Sequence, residues 1–415
     1  MLLDRRLPLL NVIAASIVVA GAMSCSAAEK PAGTVDAGDA GGTVDSDDDA
    51  QMPAPDVPAG APGDDLPPPI CPPTPGAIDV SAAAAVADNP VWHPGVTVTT
   101  LVGGAAPGTT DGPMATATLS NPVSVIVEPT GTVVLCDWDS NLVRRVTPDG
   151  TVSTLLRQNN FKAPFGLAYA PGGALFVATD YNTKLQKASL TGTIWRLDPT
   201  AGTATVVVEN VGRPRGLAAF PNGTLILADY QNYRVLLLDP VAAKVTGLAG
   251  LGRCPGLADG KGDDARFSVP YGVVPLPDGK VLVADFGNHV LRVVTADGTV
   301  STFAGDGNAF GTVDGPRMQA RFNAPKALAI DGDGIIYVSD PGAHRIRRIG
   351  ADGAVTTLAG DGMAGFKDGA GAEAHFEGQE GITVTADGKT LYVADGHGGT
   401  DNAPFHRLRK ITIAP

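Results

Sequence analysis

A four-stranded unit recurs six times along this chain, and this repeat limits the possible folds more than any other feature. The clearest copy runs from Val269 to Gly307, where short runs rich in Val and Thr alternate with turn signals such as Pro277-Asp278-Gly279. The copies begin, in chain order, at Pro122, Pro164, Pro214, Pro270, Pro325 and Gln379. Four-stranded units whose starts lie 42 to 56 residues apart predict an all-β fold, a six-bladed β-propeller with one four-stranded blade per copy.

The two ends of the repeat region predict how the ring closes. The sixth copy stops after its third strand, at Arg409 to Ile413, so a fourth strand is missing there. The segment 96–103, which precedes the first copy, matches the fourth strand of the clearest copy, Thr299 to Ala304, in residue type and order. We expect this segment to join the last blade, which would close the ring and cover two sheet edges. The propeller is therefore predicted to span residues 96–415.

The first residues carry an export signal. Two arginines precede the apolar run from Leu7 to Ala22, and small residues follow it, which is the layout of a signal peptide over residues 1–24. The stretch Ala22-Met23-Ser24-Cys25 resembles the bacterial lipoprotein motif, which predicts lipidation of Cys25 and a membrane-anchored protein on the periplasmic side or cell surface. Ordinary cleavage nearby, without lipidation, would instead give a freely secreted protein.

Residues 25–70 predict a disordered tether, because they include hardly any large apolar side chains. From Ala28 to Ile70 there are nine Asp and one Glu against one Lys, so much of the net charge of −13 falls here. Solvated carboxylates are the expected state of the run Asp47-Asp48-Asp49, since nothing fixes their oxygens around a calcium ion. With so little positive charge, a nucleic-acid partner is not expected, and membrane contact is expected only through a lipid anchor.

Residues 71–95 form a lead-in segment between the tether and the propeller. Cys71 lies at its start, and Cys254 lies in a long connector between two copies, so the two could pair in an oxidising compartment. Cys136 takes a place that alanine holds in equivalent strands, as at Ala228 and Ala284. It is predicted to fill a small buried space.

Three copies contain segments that resemble the NHL repeat, a propeller repeat named for an Asn-His-Leu signature. They are Asp285-Phe286-Gly287-Asn288-His289-Val290-Leu291-Arg292, Asp340-Pro341-Gly342-Ala343-His344-Arg345-Ile346-Arg347 and Asp229-Tyr230-Gln231-Asn232-Tyr233-Arg234-Val235. The connectors are similar to those of the bacterial form of the family, with an Asp-Gly pair followed by Ala and an apolar residue at one spacing, from Asp111, Asp259, Asp314 and Asp368. The resemblance spans roughly residues 96–413 and implies the propeller fold. It leaves the function open, because such propellers have many roles.

One acid ends the second strand of each copy. These acids are Asp137, Asp180, Asp229, Asp285, Asp340 and Asp395. Because every blade has one, we expect a shared structural role, in which the carboxylate accepts hydrogen bonds from loop amides.

The residue that follows each copy's first residue is the principal candidate for binding. These residues are Val123, Phe165, Arg215, Tyr271, Lys326 and Glu380, and they are expected to ring one mouth of the channel. The long connectors lie on that face, and loops carry function more often than the scaffold does. The ring differs in chemistry from blade to blade, which indicates a binding site with distinct walls. The structural alternative is that Lys326 and Glu380 merely neutralise each other.

Histidines and acids offer a second, metal-binding possibility. His289, His344 and His406 begin third strands and diverge outward, so they are interpreted as packing residues rather than zinc ligands. A candidate cluster for a divalent metal consists of Asp395, His397, Asp401 and His406. A flexible insertion is the competing interpretation of that loop, and no cofactor is predicted otherwise.

The sequence therefore favours an exported, monomeric propeller that binds a protein, peptide or glycan on its connector face. The alternative is a lyase or hydrolase of the propeller type, metal-dependent and acting at the channel mouth. Peptide-amidating lyases and gluconolactonase-like propellers resemble this chain in outline, but the predicted ring provides one acid and no histidine for a metal. A purely structural envelope protein is the third possibility, and no nucleophile or phosphate-binding motif is present in the sequence.

Overall fold

The computed structural model describes residues 69–73, 88–307, 309–396 and 404–414. The strands form six antiparallel sheets around a central channel, so the predicted all-β, six-bladed propeller is confirmed. The predicted signal peptide, Cys25 and all but the last two residues of the predicted tether lie outside the described residues.

Blades 1 to 3 follow one another along the chain. Within each blade, the first strand lies beside the channel and the fourth strand is the outermost. Blade 1 consists of Pro122–Val127, Val133–Asp137, Leu142–Val146 and Thr151–Leu156. Blade 2 consists of Pro164–Tyr169, Leu175–Thr179, Thr193–Asp198 and Thr203–Glu209. Blade 3 consists of Pro214–Ala219, Leu225–Asp229, Arg234–Asp239 and Lys244–Ala249.

Blades 4 to 6 complete the ring. Blade 4 consists of Pro270–Pro275, Val281–Asp285, Val290–Val294 and Thr299–Ala304. Blade 5 consists of Leu328–Ile330, Ile336–Asp340, Arg345–Ile349 and Ala354–Ala359. Blade 6 consists of Gly378–Val384, Thr390–Gly396, His406–Ile413 and, from the start of the chain, Val96–Gly104. Short 3-10 turns lie at Tyr230–Asn232, Gly262–Asp264, Phe286–Asn288, Pro341–Ala343 and Gly371–Glu373.

The outer strand of blade 6 is the segment that the sequence predicted to join it. Val96–Gly104 pairs antiparallel with His406–Ile413. Asp368 Oδ2 accepts a hydrogen bond from the Thr100 N–H at 2.9 Å, as a connector acid does for the outer strand of blade 1. The segment thus completes blade 6 as a regular outer strand. That it holds the ring together stays a prediction.

Four blades carry a short fifth strand on their outer edge, which comes from the connector ahead of the blade. These strands are Gly112–Pro113, Gly260–Lys261, Gly315–Pro316 and Gly369–Ala370, in blades 1, 4, 5 and 6 respectively. The connectors ahead of blades 2 and 3 are shorter, and within the described residues these two blades have four strands. Blades 1, 4, 5 and 6 therefore share a five-stranded form, whereas blades 2 and 3 lack the extra outer strand in the described part of the chain.

The core lies between neighbouring blades. The second strands of blades 1 to 5 are buried along their whole length, because each blade is covered on both faces. Ile226 of blade 3 and Val283 of blade 4 share one apolar cluster with Phe267 of the connector between them. Complete burial of such a side chain stabilises the fold by about 1.5 to 3 kcal/mol. Cys136 is fully buried, as the sequence predicted.

Glycine follows the channel-facing residue in four copies because adjacent inner strands approach closely. A Cβ atom at Gly216 would lie 2.4 Å from the carbonyl oxygen of Tyr271. A Cβ atom at Gly272 would lie 2.3 Å from the carbonyl oxygen of Lys326. A side chain at either position would collide with the backbone of the next blade. Glycine therefore allows the inner strands to pack closely around a narrow channel.

Five of the six predicted acids have the expected structural role, namely Asp137, Asp229, Asp285, Asp340 and Asp395. In each, one carboxylate oxygen accepts a hydrogen bond from a backbone N–H at or just before the start of the inner strand. For Asp285 this donor is Ser268 N at 2.7 Å, and the second oxygen lies 3.2 Å from Arg292 Nη1 on the third strand. Arg292 Nη2 also lies 2.6 Å from Asp259 Oδ1 of the connector, so one arginine joins two acids. Blades 1, 5 and 6 repeat this clamp through Arg144, Arg347 and Arg409.

Asp180 does not have this role, and the prediction was wrong for blade 2. Its inner-strand residue Pro164 pairs with Thr179, whereas the equivalent Pro270 pairs with Asp285. Blade 2 has Thr where other copies have Asp, so Asp180 falls one position later along the chain. Thr179 Oγ1 instead accepts a hydrogen bond from Trp195 Nε1 at 2.8 Å. A neutral pair thus replaces the ionic clamp in this blade.

The lead-in segment is fixed to the propeller at two places. Cys71 and Cys254 form a disulfide, which joins residues 69–73 to the connector ahead of blade 4. Further on, Arg345 Nη1 of blade 5 donates to Asp88 Oδ1 at 2.7 Å, and Trp92 forms a parallel β-bridge with Thr357. Among the described residues, no helix has the length and apolar character that crossing a bilayer requires.

Candidate functional site

All six residues of the predicted ring line the central channel. They are Val123, Phe165, Arg215, Tyr271, Lys326 and Glu380. Each stands near the start of an inner strand, and the inner strands together enclose a cavity of about 270 Å³. Residues near the ends of these strands, such as Ile126 and Val274, line the remainder. The channel is therefore polar and aromatic at the connector face and apolar beyond it.

Glu380 connects three blades at the mouth. Its Oε1 lies 2.7 Å from Lys326 Nζ, and its Oε2 accepts a hydrogen bond from Tyr271 Oη at 2.9 Å. Each of these three side chains exposes only 4 to 5 % of its surface. The opposite charges of Lys326 and Glu380 therefore neutralise each other, as the structural alternative expected. An ammonium that is also 5.0 Å from the Tyr271 ring centre gains a cation–π contact.

Arg215 lies on the other side of the mouth among aromatic rings. The carbon of its guanidinium group is 4.2 Å from the ring centre of Phe165, 4.5 Å from that of Trp138 and 4.8 Å from that of Tyr230. Its Nη2 lies 3.5 Å from Asp180 Oδ2. Phe165 and Tyr271 pack edge to face at 5.5 Å between ring centres, which joins the two halves of the mouth.

A second circle of residues, which was not predicted from the sequence, surrounds the ring. It consists of the residue that follows the end of each second strand in register: Trp138, Asp180, Tyr230, Phe286, Pro341 and Gly396. Three of its members are aromatic in a chain with only 5% aromatic residues, which is the signal that could have identified them. Trp138 and Phe286 are partly exposed and pack against the ring residues. The shift of one position in blade 2 places Asp180 in this circle.

The charge state of Asp180 distinguishes it from the structural acids. Burial acts to raise its pKa, but the guanidinium groups of Arg213 and Arg215 outweigh burial and hold the pKa below its ordinary value. Burial dominates in the clamps, where it raises the pKa of Asp285 to about 6 and that of Asp340 to about 7. Asp180 is therefore a charged carboxylate held at the mouth by two arginines of the next blade.

His289 and His406 have packing roles. His289 Nδ1 accepts a hydrogen bond from Ala324 N at 2.9 Å, and His406 Nδ1 accepts one from Asn121 N at 3.0 Å. In both cases a third strand holds the connector that leads into the next blade. His344 begins the third strand of blade 5 in the same left-handed backbone conformation as His289.

Two members of the predicted metal cluster, Asp395 and His406, have structural partners elsewhere in blade 6 and in the connector to blade 1. Asp395 accepts hydrogen bonds from Gly378 N and Arg409 Nη1, and His406 binds the backbone as described above. His397 and Asp401 lie outside the described residues. In the part of the chain that the structure describes, no group of three or more His, Cys, Asp or Glu side chains is arranged to hold a metal.

Comparisons with known proteins agree with this architecture. No family model matches the chain. NHL repeat-containing protein 2 of Bos taurus is 30% identical over 186 residues, which are 40% of this chain and 25% of that protein. The homologue of that protein in Gallus gallus is 32% identical over 147 residues, 32% of this chain and 20% of its own length. This chain thus spans a quarter or less of the length of these two relatives.

Solved structures show the same fold. A structure of a protein of unknown function from Bacteroides thetaiotaomicron has a TM-score of 0.63 and 21% identity, with 76% of each chain covered. An auxiliary nutrient binding protein from the same organism has a TM-score of 0.60 and 20% identity, again with 76% of each chain covered.

The fold and the repeated clamps define a six-bladed β-propeller with its variable residues at one mouth of the channel. The chain is similar to NHL repeat-containing proteins over 32 to 40% of its length, which supports the resemblance of its repeats to the NHL type.

Proposed function

We propose that this protein is an exported binding module that holds a protein, peptide or glycan ligand at the connector-face mouth of its channel. One observation carries the proposal. The scaffold repeats its clamps and glycines from blade to blade, whereas the six channel-facing residues at the mouth differ in chemical type. Stability does not need that variety, while recognition of an asymmetric ligand does.

The composition of the mouth supports the same function. Arginine, tyrosine and tryptophan are enriched among residues that dominate binding energy, and the mouth combines Arg215, Tyr271 and Trp138. The side chains of Trp138 and Phe286 are partly exposed, so each offers apolar surface to a ligand. For the metal-dependent lyase or hydrolase alternative, the described residues provide no comparable set of metal-binding side chains.

Export is part of the proposal. A Cys71–Cys254 disulfide is typical of an oxidising compartment, which supports the export signal predicted from the sequence. We infer anchoring through lipidated Cys25 or, without lipidation, secretion, and a monomer in either case. Metabolic labelling with a fatty acid would test the anchor, since replacement of Cys25 by Ser should abolish the label.

The binding test targets the partly exposed rim of the mouth, which consists of Trp138 and Phe286, because Ala substitutions in the buried ring would also destabilise the fold. The full chain is applied to arrays of immobilised oligosaccharides and short peptides, and each bound compound is titrated. The double variant Trp138→Leu/Phe286→Leu keeps an apolar side chain at each position but removes both flat rings, and we expect it to weaken binding at least about tenfold. Phe303→Leu is the matched control, because Phe303 lies on the outer strand of blade 4.

Two results would overturn the location or the function. Saturable binding that the rim variant leaves unchanged would place the ligand elsewhere on the propeller. A complete lack of saturable binding to both arrays would favour a purely structural envelope protein.

A further inference from the structure

The lead-in segment pairs with the outer edge of blade 5 as an added parallel strand. Thr357 N donates to the carbonyl oxygen of Val91 at 3.1 Å, and His93 N donates to the carbonyl oxygen of Thr357 at 3.1 Å. Val91 N also donates to Asp314 Oδ2 of the connector at 2.6 Å. An extended chain therefore binds this edge through its backbone, as in other cases of β-strand addition.

One acidic side chain fixes the position of the docked segment. The two terminal nitrogens of Arg345 donate to the two carboxylate oxygens of Asp88, which is a charge-assisted bidentate contact. Asn89 Oδ1 accepts a hydrogen bond from Asp314 N at 3.1 Å, and the ring centre of Trp92 lies 6.0 Å from the guanidinium carbon of Arg345. Blade 5 thus recognises an extended backbone together with an acid.

Blade 6 repeats the edge on which this segment lies. Asp368 takes the place of Asp314, because it pairs with the clamp arginine Arg409 and its Oδ2 accepts a hydrogen bond from Thr100 N at 2.9 Å. Thr100 lies opposite Arg409 in the same register as its counterpart in blade 5, so its N–H and C=O point away from the blade. The side chain of Asp368 is 39% exposed, whereas that of Asp314 is fully buried beneath the lead-in segment. Blade 6 therefore presents to solvent the groups that blade 5 covers.

An arginine distinguishes this edge from the edges of blades 1 and 4. Arg407 holds in blade 6 the position that Arg345 holds in blade 5, whereas blades 1 and 4 have Leu142 and Val290 there. Arg407 Nη1 donates to a backbone carbonyl three residues earlier at 2.7 Å, and its guanidinium carbon lies 3.8 Å from the ring centre of Phe366. Of the four blades with a connector acid, blades 5 and 6 are thus the two that place a cation beside it.

We propose that the outer edge of blade 6 binds an extended acidic segment of a partner polypeptide, which adds to the blade as a parallel strand. The segment 88–93 defines the chemistry of this ligand. An Asp or Glu side chain contacts Arg407, and the residue three positions later donates its N–H to Asp368 and accepts the N–H of Thr100. The site lies on the outer circumference of the ring, so it is a second binding site beyond the one proposed at the channel mouth.

The test uses a fluorescent peptide with the sequence of residues 87–95, whose binding to the full chain is measured by anisotropy. N-methylation at the position of Val91 removes the N–H that Asp368 would accept, and should weaken binding at least about tenfold. Asp88→Asn in the peptide removes the charge that faces Arg407 and should weaken binding several-fold. Equal affinity of the three peptides, or no saturable binding of the unmodified one, would overturn the proposal.

Variants of the full chain locate the site. Arg407→Leu, which introduces the residue type of blade 1, should remove the difference in affinity between the Asp and Asn peptides. A persisting difference would mean that the probe displaces the lead-in segment from blade 5, and the blade 6 site would be wrong. Asp368→Asn should weaken binding at least about tenfold, whereas Asp111→Asn, which changes the same clamp in blade 1, should leave it unchanged. If Asp368→Asn fails to fold, the comparison of the three peptides still decides whether an acid and a strand-pairing N–H are recognised.

A second copy of this chain is the competing occupant of the edge. Sedimentation of the full chain without peptide should show a monomer at all concentrations. Dimers that form with rising concentration and dissociate in Arg407→Leu, without binding of the probe, would overturn the proposed partner and assign the edge to a second copy.

Discussion

Trp195 donates its indole N–H to Thr179 at 2.8 Å, in the place where blades 1, 4, 5 and 6 join an aspartate to an arginine. Both side chains are buried, with exposed fractions of 0 to 1%. Thr179→Val keeps the shape but leaves the indole N–H without its acceptor. We expect the free energy of unfolding to fall by about 1 to 3 kcal/mol, measured by urea denaturation. Thr205→Val on the exposed outer strand should change it little, and an equal effect at both positions would contradict this account.

The clamp of Arg292 and Asp285 should contribute to stability in a pH-dependent way. Arg292→Met leaves Asp285 buried without its cation, which we expect to cost about 3 to 5 kcal/mol near neutral pH. Burial already raises the pKa of Asp285 to about 6 and would raise it further without the arginine. Because the folded-state pKa of Asp285 is raised, stability falls as the pH rises through that pKa. The decrease in the free energy of unfolding caused by Arg292→Met should therefore become smaller towards pH 5.

The control for this clamp is an exposed ion pair in the same blade. Lys261 Nζ lies 2.9 Å from Asp297 Oδ2, and both side chains are more than half exposed. Lys261→Met should change the free energy of unfolding by no more than about 1 kcal/mol. If the loss in Arg292→Met were as small, or did not depend on pH, the clamp would not have the role assigned to it.

The sequence predicted the blades well because turn signals and apolar runs recur with the same order in every copy. It also placed the six ring residues at the channel, since their position in the repeat fixes the direction of their side chains. It failed at Asp180 because Thr179 and Asp180 are both polar, and only strand pairing shows which of them faces Pro164. The contacts of Arg215 with Trp138 and Phe165 bring together three blades, and no local pattern specifies such distances.

Stability should fall below pH 6.5 through His289. Its Nδ1 accepts a hydrogen bond from Ala324 N and must therefore be unprotonated, and burial lowers its pKa below the ordinary value of 6.5. The unfolded chain then takes up a proton first as pH falls, so stability is lost from about pH 6.5 down to the folded pKa. His289→Gln should show a smaller fall in melting temperature between pH 7.5 and 5.5. Identical slopes for variant and wild type would refute this prediction.

The disulfide between Cys71 and Cys254 should stabilise the folded protein by restricting the unfolded chain. It closes a loop with a sequence separation of 183 residues. Cys71→Ser should lower the free energy of unfolding by roughly 2 to 4 kcal/mol. Dithiothreitol should destabilise the wild type to the same extent and leave Cys71→Ser unchanged. If dithiothreitol lowered the free energy of unfolding equally in both proteins, the stabilising role of the Cys71–Cys254 disulfide would be contradicted.

Removal of residues 96–103 should destabilise the whole propeller rather than blade 6 alone. This segment supplies the outer strand of blade 6, and Val98 is fully buried in the cluster that also contains Ile382 and Phe376. Without it, His406–Ile413 becomes an open sheet edge and blade 5 loses apolar contacts with Val96 and Val98. We expect a single unfolding transition at a markedly lower temperature in calorimetry. Deletion of residues 54–61 in the predicted tether removes the same number of residues and should leave the melting temperature unchanged. If both deletions melted like the intact chain, pairing of the first strand with the last blade would not be what holds the ring together.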